Sequence, residues 1–269
     1  MPIDGLFEKL WKDYSAMNGQ AEAIHAALEK RREKVVNDHV AFRTFNLPKV
    51  NIEVLAEFFK KLGYKDASGK GYDFAEKKLF ARHYEHPEPD LPKVFISELV
   101  LEKCSPFLQK TIKDLVEHIP ASLALNADFL ISGTPWKKIS WKTYQDLLTE
   151  SEYAAWMAAF GFRVNHFTVF FNSLKTFKDF KELNGFIKSV GFKMNEAGGE
   201  IKGSPAVFLE QSSTLAYPVR VKFIDREETI PACYYEFARR YPMKDGKLFQ
   251  AFLPESADKI FESTDYRKK

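Results

Sequence analysis

The hexapeptide DHVAFR at residues 38–43 recurs in related form as NHFTVF at residues 165–170. Each copy places a histidine second and continues with the apolar residues typical of a strand that is buried on both faces. Each also leads to a helix-like segment with a matching end, FFKKLGYK at residues 58–65 and FIKSVGFK at residues 186–193. The spacing therefore predicts a duplicated strand–helix unit with one histidine at the same position in each copy.

His39 and His166 are these two histidines, and their equivalence predicts one site shared between the copies. Imidazole is the commonest side-chain metal ligand near neutral pH. We interpret the pair as two ligands of a metal site that is built across the internal repeat.

The composition is that of an ordinary globular protein, with 269 residues of which 45% are hydrophobic and 29% charged. The 25 phenylalanines suit a sheet-rich core and an apolar pocket. A net charge of +3 is too balanced to predict a nucleic-acid partner. No apolar run approaches the roughly 18 residues that span a membrane, so we expect no membrane association and a cytoplasmic location.

Helical and strand-like patterns divide the chain into five segments within a single domain. We predict a helical N-terminal cover over residues 1–36, a first module over 37–103, a helical insert over 104–160, a second module over 161–242 and a C-terminal tail over 243–269. The cover is expected to pack on the first module, and the insert to cover the sheet or gate a cavity.

Each module reads as β-α-β-β-β, which predicts an α+β fold. In the second module the three later strands are predicted at residues 206–212, 219–224 and 232–239. Two such modules side by side can roll their sheets into a partly closed barrel around a cavity. This arrangement resembles the vicinal-oxygen-chelate superfamily, whose paired modules hold a metal between them.

Glu236 is the best candidate for a third, anionic ligand beside the two histidines. It lies in a predicted strand among apolar and aromatic neighbours, where an unpaired carboxylate is costly and a bound metal removes the cost. Two histidines and one carboxylate form the open facial set that non-haem Fe(II) oxygenases use. The alternative is an exposed edge-strand glutamate, or one paired with Arg239 or Arg240.

Glu98 is the rival acid. It occupies a late strand of the first module, roughly where a twofold axis would place the counterpart of Glu236. Two histidines with two glutamates would be the pattern of a glyoxalase-type enzyme. We interpret Glu98 as a structural acid or a partner of the site rather than a ligand.

Arg43 is predicted on the same strand face as His39, because alternate residues of a strand share a face. Its planar fork can hold the distal carboxylate of a 2-oxo acid with two parallel hydrogen bonds. The second copy has Phe170 at this position, so one end of the cavity is cationic and the other apolar. The alternative is an exposed arginine at the end of the sheet.

Two further groups of polar residues carry weaker signals. The run Gln211–Thr214 follows an apolar strand, and its polar groups could line the mouth of the cavity or close a turn, of which we favour the turn. His83 and His86 are expected to form a surface pair in a loop rather than a second metal site.

Together, the motif His39-x-x-x-Arg43, the phrase VFISEL at residues 94–99, His166 and Glu236 resemble the 2-oxoadipate dioxygenase/decarboxylase family over roughly residues 35 to 265. The resemblance implies that His39, His166 and Glu236 bind Fe(II). It also places His39 and Arg43 beside the substrate and gives Arg43 the catalytic contact to it.

The implied reaction joins a 2-oxo dicarboxylic acid, 2-oxoadipate, with O2 and gives 2-hydroxyglutarate and CO2. Two other functions remain open from the residues alone. One is a metal-dependent isomerase or lyase of the glyoxalase type, and the other is a metal-free module that binds a small ligand.

Overall fold

The structure, a computed structural model, describes residues 3–120, 122–123 and 127–265. The remaining parts of the predicted cover, insert and tail, residues 1–2, 121, 124–126 and 266–269, lie outside the described residues. The helices are α1 (Ile3–Met17), α2 (Gly19–Lys30), α3 (Ile52–Lys60), α4 (Pro106–Glu117), α5 (Trp141–Glu150), α6 (Glu152–Phe160), α7 (Phe180–Ser189) and α8 (Pro254–Phe261).

The strands of the first half are β1 (Asn37–Phe45), β2 (Lys65–Asp66), β3 (Tyr72–Phe74), β4 (Leu79–Glu85) and β5 (Lys93–Leu99). Those of the second half are β6 (Val164–Phe170), β7 (Lys202–Ser204), β8 (Leu209–Ser213), β9 (Pro218–Lys222), β10 (Glu227–Pro231) and β11 (Tyr234–Arg240). Nine of them form one mixed sheet in the order β2-β4-β5-β1-β6-β11-β8-β7, with β3 also paired to β4.

The two halves of this sheet have the same topology. The first strand of each module runs parallel to its last strand, β1 with β5 and β6 with β11. The next pairs outward are antiparallel in both halves. β1 and β6 pair antiparallel at the centre, so the halves are related by a pseudo-twofold axis between them. The predicted α+β paired-module fold is confirmed, and no pairing between described end strands closes the sheet into a full barrel.

Local features are repeated along with the topology. The helix after each first strand is capped by a short polar residue, Asn51 on α3 and Asp179 on α7, whose side chains accept from backbone N–H groups of the first turn. A 3-10 turn precedes β4 and β8, and it ends in a left-handed residue in both modules, Lys78 with φ 58° and Phe208 with φ 63°. Such matched details indicate a true duplication.

The strand prediction for the second module was partly wrong. The stretch predicted over residues 219–224 is extended as β9, but it pairs with β10 in a separate two-stranded sheet and not in the main sheet. The main-sheet strand that was missed is β7, whose three residues include Gly203. A strand of three residues with a central glycine has no propensity signal, because its pairing with β8 alone makes it a strand.

The sheet has two faces with different coverings. One face, called the helix face below, carries Phe42 and Phe167. Phe42 of β1 packs against Phe59 of α3, and Phe167 of β6 packs against Trp11 of α1 at a ring distance of 5.2 Å. The N-terminal cover therefore packs largely on β6 and β11 of the second module. Its Phe7 also contacts Phe59 and Tyr64, so the expectation that it packs on the first module holds only in part. The opposite face, which carries His39 and is called the site face below, lies under α6, α8 and the segment between β11 and α8.

Helix α6 of the insert lies over the site face and binds it through buried polar contacts. The Tyr153 hydroxyl donates to the carbonyl of Ser97 at 2.7 Å and accepts from the backbone N–H of Thr44 at 2.9 Å. Trp156 donates to the carbonyl of Ala232 at 2.6 Å. The insert thus covers the sheet, one of its two predicted roles. None of the helices in the described part of the chain is long and apolar enough to cross a bilayer.

Gly161 ends α6, and we expect Gly161→Ala to lower the free energy of unfolding by about 2–4 kcal/mol. Its φ is +68°, and a Cβ would lie 1.8 Å from the carbonyl oxygen of Gly133. The matched control is Gly185→Ala, which lies inside α7, where an added Cβ would meet no heavy atom within 4 Å. This control should raise the free energy by about 0.5–1 kcal/mol. Urea unfolding measures both, and equal values for the two variants would contradict the expectation.

Candidate metal centre

A bulge in the central strand pair orients each histidine. In the pairing of β1 with β6, the register shifts at Asp38 on one strand and at Asn165 on the other. These residues directly precede His39 and His166. A bulge turns the neighbouring side chain relative to a regular ladder. Both imidazoles therefore lie on the site face, with ring centroids 5.5 Å apart.

The bulge residues also fix the orientation of the two rings. Nδ1 of His39 donates to Oδ2 of Asp38 at 2.8 Å, and Nδ1 of His166 donates to Oδ1 of Asn165 at 3.0 Å. Because Nδ1 is used in this way, the Nε2 lone pair of each ring faces the site and is available to a metal. In this structure Nε2 of His39 accepts from the hydroxyl of Thr168 at 3.0 Å.

Glu236 supplies the third group. Its carboxylate lies 3.7 Å from Nε2 of His39 and 3.2 Å from Nε2 of His166. One ligand atom from each of the three residues lies within 4.8 Å of the others, and all three residues are buried. β11 lies between β6 and β8 inside the sheet, so the alternative of an exposed edge-strand glutamate was wrong.

The electrostatics of the three groups fit a bound cation. Burial raises the pKa of Glu236 to about 8 and lowers the pKa of His39, while that of His166 falls well below its usual range. Two neutral imidazoles and a buried carboxylate that forms no ion pair with a described lysine or arginine are the donor set that a divalent metal satisfies. The donors are nitrogen and oxygen, which suit Fe(II) and other first-row divalent ions.

The proposed pairing of Glu236 with an arginine is also absent among the described residues. Arg239 donates to the backbone carbonyl of Lys178. Arg240 instead forms a two-pronged ion pair with Asp38, at 2.6 and 2.8 Å. Although burial opposes it, Arg240 holds the pKa of the Asp38 carboxyl below its usual range. Asp38 is therefore an anionic acceptor for His39, whereas Asn165 is a neutral one for His166.

Arg43 lies on the site face but is not the exposed arginine of the alternative interpretation. Its side chain is only 1% exposed. Nη1 donates to Glu152 at 2.8 Å and Nη2 donates to Thr264 at 2.9 Å. The guanidinium carbon also lies 4.9 Å from the ring centroids of Tyr153 and Trp156. The insert and the C-terminal segment thus hold the two Nη atoms of the guanidinium group. Nε of Arg43 has no hydrogen-bond partner among the described residues.

Phe252 covers the centre from the segment between β11 and α8. Its ring centroid lies 4.8 Å from His39 and 4.8 Å from Phe95. Arg240 holds this segment by donating to the carbonyls of Phe249 and Ala251 at 2.9 and 3.0 Å. Sequence reasoning missed Phe252, because a single phenylalanine in a tail carries no signal of its partner.

His83 was wrongly predicted as a surface residue. It is 1% exposed in β4, and its ring lies 5.3 Å from that of Phe252. Nδ1 is 2.9 Å from the hydroxyl of Tyr72, and Nε2 is 3.0 Å from Glu85. The alternation of β4 could have placed it inside, but the adjacent proline-rich loop favoured an exposed interpretation.

Gln211 and Ser213 were also predicted wrongly, since they lie in strand β8 and not in a turn. Nε2 of Gln211 donates to Glu236 at 2.6 Å and fixes that carboxylate. Oε1 of Gln211 has no partner among the described residues and is buried beside the centre. A strand rich in glutamine and serine lacks the usual β-propensity, which is why the turn was favoured over the alternative that these polar groups line the cavity.

The counterpart of Glu236 in the first module is Phe95, not Glu98. Glu236 lies two residues beyond the β11 partner of His166, and Phe95 lies two residues beyond the β5 partner of His39. The prediction failed because a one-residue change of register moves a side chain to the other face, and the late strands share no motif that sets the register.

Glu98 has a structural role on the helix face. Its Oε2 accepts from the backbone N–H of Ile52 at 3.0 Å, at the first turn of α3. An acid at this place satisfies one of the free N–H groups of the helix and interacts favourably with its dipole. Glu98 therefore does not join the three-residue cluster.

The fold and the cluster define a duplicated-module protein with a candidate metal centre at the module interface. The same fold is found in a Ralstonia eutropha protein assigned provisionally to the glyoxalase superfamily, with a TM-score of 0.77 at 20% identity. The match covers 92% of this chain and 84% of that chain. The model of the 2-oxoadipate dioxygenase/decarboxylase family matches residues 6–251. The chain belongs to this family, which confirms the resemblance seen in the sequence.

Individual relatives agree with that membership. The 2-oxoadipate dioxygenase/decarboxylase of Arabidopsis thaliana, named as chloroplastic, is 34% identical over 86% of this chain and 69% of its own. The hydroxyglutarate synthase of Oryza sativa, solved in complex with 2-oxoadipate, matches with a TM-score of 0.90 at 32% identity, over 97% of this chain and 91% of that one. A Shewanella frigidimarina protein assigned provisionally as a hydrolase matches at 49% identity with a TM-score of 0.88, over 93% and 97% of the two chains.

Asp38→Asn should weaken divalent metal binding by roughly 10- to 100-fold, because it removes the anionic partner that orients His39 and raises its basicity. Asparagine already occupies the equivalent bulge at Asn165, so the backbone accepts it. Competition against a chromogenic chelator measures the affinity.

The control is Asp66→Asn, which removes an aspartate that binds Arg82 at 2.6 Å near the surface, away from the centre. It should leave the metal affinity unchanged. Equal affinity of Asp38→Asn and the unchanged protein would show that Asp38 serves only the ion pair with Arg240.

Proposed function

We propose that this protein is an Fe(II)-dependent enzyme that converts 2-oxoadipate and O2 into 2-hydroxyglutarate and CO2. The observation that carries the proposal is the buried cluster of His39, His166 and Glu236 in a chain of this family. The rice relative, 32% identical, was solved with 2-oxoadipate bound, and this supports the choice of substrate.

The donor set supports iron as the metal. Two histidines and one carboxylate are typical of non-haem Fe(II) oxygenases, since three protein ligands leave positions free for other molecules. When bound by these residues, Fe(II) would supply the redox chemistry by which O2 oxidises a 2-oxo acid. In the overall reaction the original carboxylate leaves as CO2. One oxygen atom enters the carboxylate formed at the former keto carbon and the other enters the new hydroxyl, so the atoms balance.

The chain's own residues bind and orient the reactants. Asp38 and Asn165 hold the imidazoles of His39 and His166 in place, and Gln211 holds the carboxylate of Glu236. Such support from hydrogen-bonded neighbours keeps ligands in a productive geometry. Phe252 and the residues that pack on it exclude bulk water from the part of the centre next to His39. Keeping water out of the centre prevents side reactions during the oxidation by O2.

Arg43 is proposed to bind the distal carboxylate of the substrate. Glu152 and Thr264 hold two of its donor nitrogens, and Nε remains available on the site face. A buried arginine whose Nε–H has no partner in the described part of the chain suits a ligand with an anionic oxygen. His39 is the ligand nearest to the substrate in this proposal, as the sequence led us to expect.

The two alternative functions are less well supported. A glyoxalase-type isomerase would use Glu98 as a fourth ligand, but this residue binds the start of α3 on the opposite face. A metal-free binding module would leave the carboxyl group of Glu236 buried beside two neutral imidazoles, with no ion pair to a lysine or arginine in the described part of the chain. The cytoplasmic location inferred from the sequence stays a prediction, and the Arabidopsis relative is named as chloroplastic.

Protein reconstituted anaerobically with Fe(II) should consume O2 when 2-oxoadipate is added and release CO2 in equal amount. The result follows because the reaction takes up one O2 for each CO2. An oxygen electrode and product analysis measure it, with a panel of other 2-oxo acids for comparison. Isomerisation without oxygen uptake would support the glyoxalase-type function instead.

Glu236→Gln should lose most of the bound iron, since a neutral amide is a much poorer ligand than a carboxylate. Glu98→Gln is the matched control, because it makes the same change on the opposite face and should keep one metal per chain. Elemental analysis after gel filtration gives the ratio. Full occupancy in Glu236→Gln with loss in Glu98→Gln would contradict the assigned ligand set.

Arg43→Ala should lower kcat/KM for 2-oxoadipate by about 30- to 4000-fold, which corresponds to about 2–5 kcal/mol for one partner of a desolvated charge pair. With 2-oxohexanoate, which lacks the distal carboxylate, the loss should be much smaller. The double variant Arg43→Ala/Glu152→Ala also removes the acid that would be left without its partner, and it should show the same difference between the substrates. An equal loss on both substrates would place Arg43 at the chelating end or in the framework.

A further inference from the structure

Two buried donor groups near the candidate centre lack acceptors. The hydroxyl of Tyr234 and the Nε–H of Arg43 are buried and have no hydrogen-bond partner among the described residues. Buried polar groups almost always have a partner, so a pair of exceptions at one place calls for an explanation. Both groups can donate to an anionic oxygen.

The residues that carry the two donors lie on the strands to either side of His166, one of the three candidate metal ligands. Tyr234 lies opposite His166 in the parallel pairing of β11 with β6, and its ring stacks on that imidazole at 4.5 Å with an angle of 24°. Arg43 lies two residues from Ala41, which is opposite His166 on the other side. Alternation places all of these side chains on the site face. Tyr234 is also two residues from Glu236 and shares its face.

The charge of Arg43 is already partly offset. Glu152 accepts from its Nη1 at 2.8 Å, and Thr264 accepts from its Nη2. Nε is the nitrogen of Arg43 that has no partner among the described residues, and a second carboxylate bound there would lie near the charge of Glu152. A further neutral donor would make such a subsite much stronger. The Tyr234 hydroxyl, which has no partner among the described residues, can supply it.

We propose that the Tyr234 hydroxyl and the Nε–H of Arg43 together bind one carboxylate of the substrate, the one distal to the 2-oxo group. Tyr234 is then a residue that determines specificity for dicarboxylic over monocarboxylic 2-oxo acids. This inference rests on the proposed function for the identity of the substrate. It goes beyond that function by assigning the second donor of the subsite.

Position, and not the lack of a partner alone, distinguishes Tyr234. The hydroxyl of Tyr235 is also buried without a partner among the described residues. Its ring, however, lies on the helix face, 6.0 Å from Trp11 and 6.4 Å from Tyr14. Tyr235 therefore offers a control with the same chemical change at the adjacent residue.

The test compares Tyr234→Phe with Tyr235→Phe. Each change removes one hydroxyl and keeps the ring, so the stacking of residue 234 on His166 is retained. In Tyr234→Phe, kcat/KM for 2-oxoadipate should fall by about 10- to 100-fold, as expected for the loss of a hydrogen bond to a charged group. The loss should lie mainly in KM, and 2-oxohexanoate should be turned over as in the unchanged protein. Iron content should not change in either variant.

Binding measured without turnover separates this inference from the proposed function. Calorimetric titration of the anaerobic iron-loaded protein with 2-oxoadipate should show weaker binding by a similar factor in Tyr234→Phe and no weakening in Tyr235→Phe. If the unchanged protein consumes no O2 but this binding difference is found, the reaction fails and the subsite stands.

Two outcomes would overturn the subsite. Unchanged binding of 2-oxoadipate by Tyr234→Phe would show that the hydroxyl does not contact the substrate. An equal loss for 2-oxoadipate and 2-oxohexanoate would place the hydroxyl at the chelating end. Urea unfolding of both variants checks that a loss of binding is not a loss of folded protein.

Discussion

The antiparallel pairing of β1 with β6 is the interaction on which the rest of the structure depends. It joins the two modules in one sheet, and its register is mutual, with His39 opposite Thr168 and Ala41 opposite His166. Because the pairing is symmetric about the axis, each histidine lies opposite the residue two positions after the histidine of the other module. One histidine per repeat is then enough to give two candidate metal ligands, and the two bulges turn both rings toward the same space.

Burial of ionisable groups at this interface requires an ordered arrangement of charge. The Asp38 carboxylate binds His39 on one side and Arg240 on the other, and Arg240 also holds the backbone of the segment that carries Phe252. The ion pair therefore couples the orientation of a ligand to the cover above it. Breaking one partner of such a buried pair is strongly destabilising, because a charge is left without compensation. The same residues thus stabilise the fold and position the site.

Sequence reasoning was most successful where the signal was local and repeated. The two hexapeptides identified the duplication and both histidines, and the apolar setting of Glu236 pointed to the third member of the cluster. It failed where a residue's role depends on strand register or on a distant segment. Glu98 was placed on the wrong face for the first reason, and Phe252 was missed for the second, since no local pattern records which strand a tail will cover.

The differences between the modules explain how a sheet with pseudo-twofold symmetry carries an asymmetric site. Phe95 stands where the second module has Glu236, so the axis that duplicates the histidine does not duplicate the carboxylate. A glutamate at both positions would provide four protein ligands and leave less space for other molecules. The phenylalanine instead adds an apolar wall that packs against Phe252. Arg43 has Phe170 as its counterpart, so the axis does not duplicate this cation either. In the proposed function, an acid with a second carboxylate binds with that carboxylate at Arg43, and this contact sets its orientation.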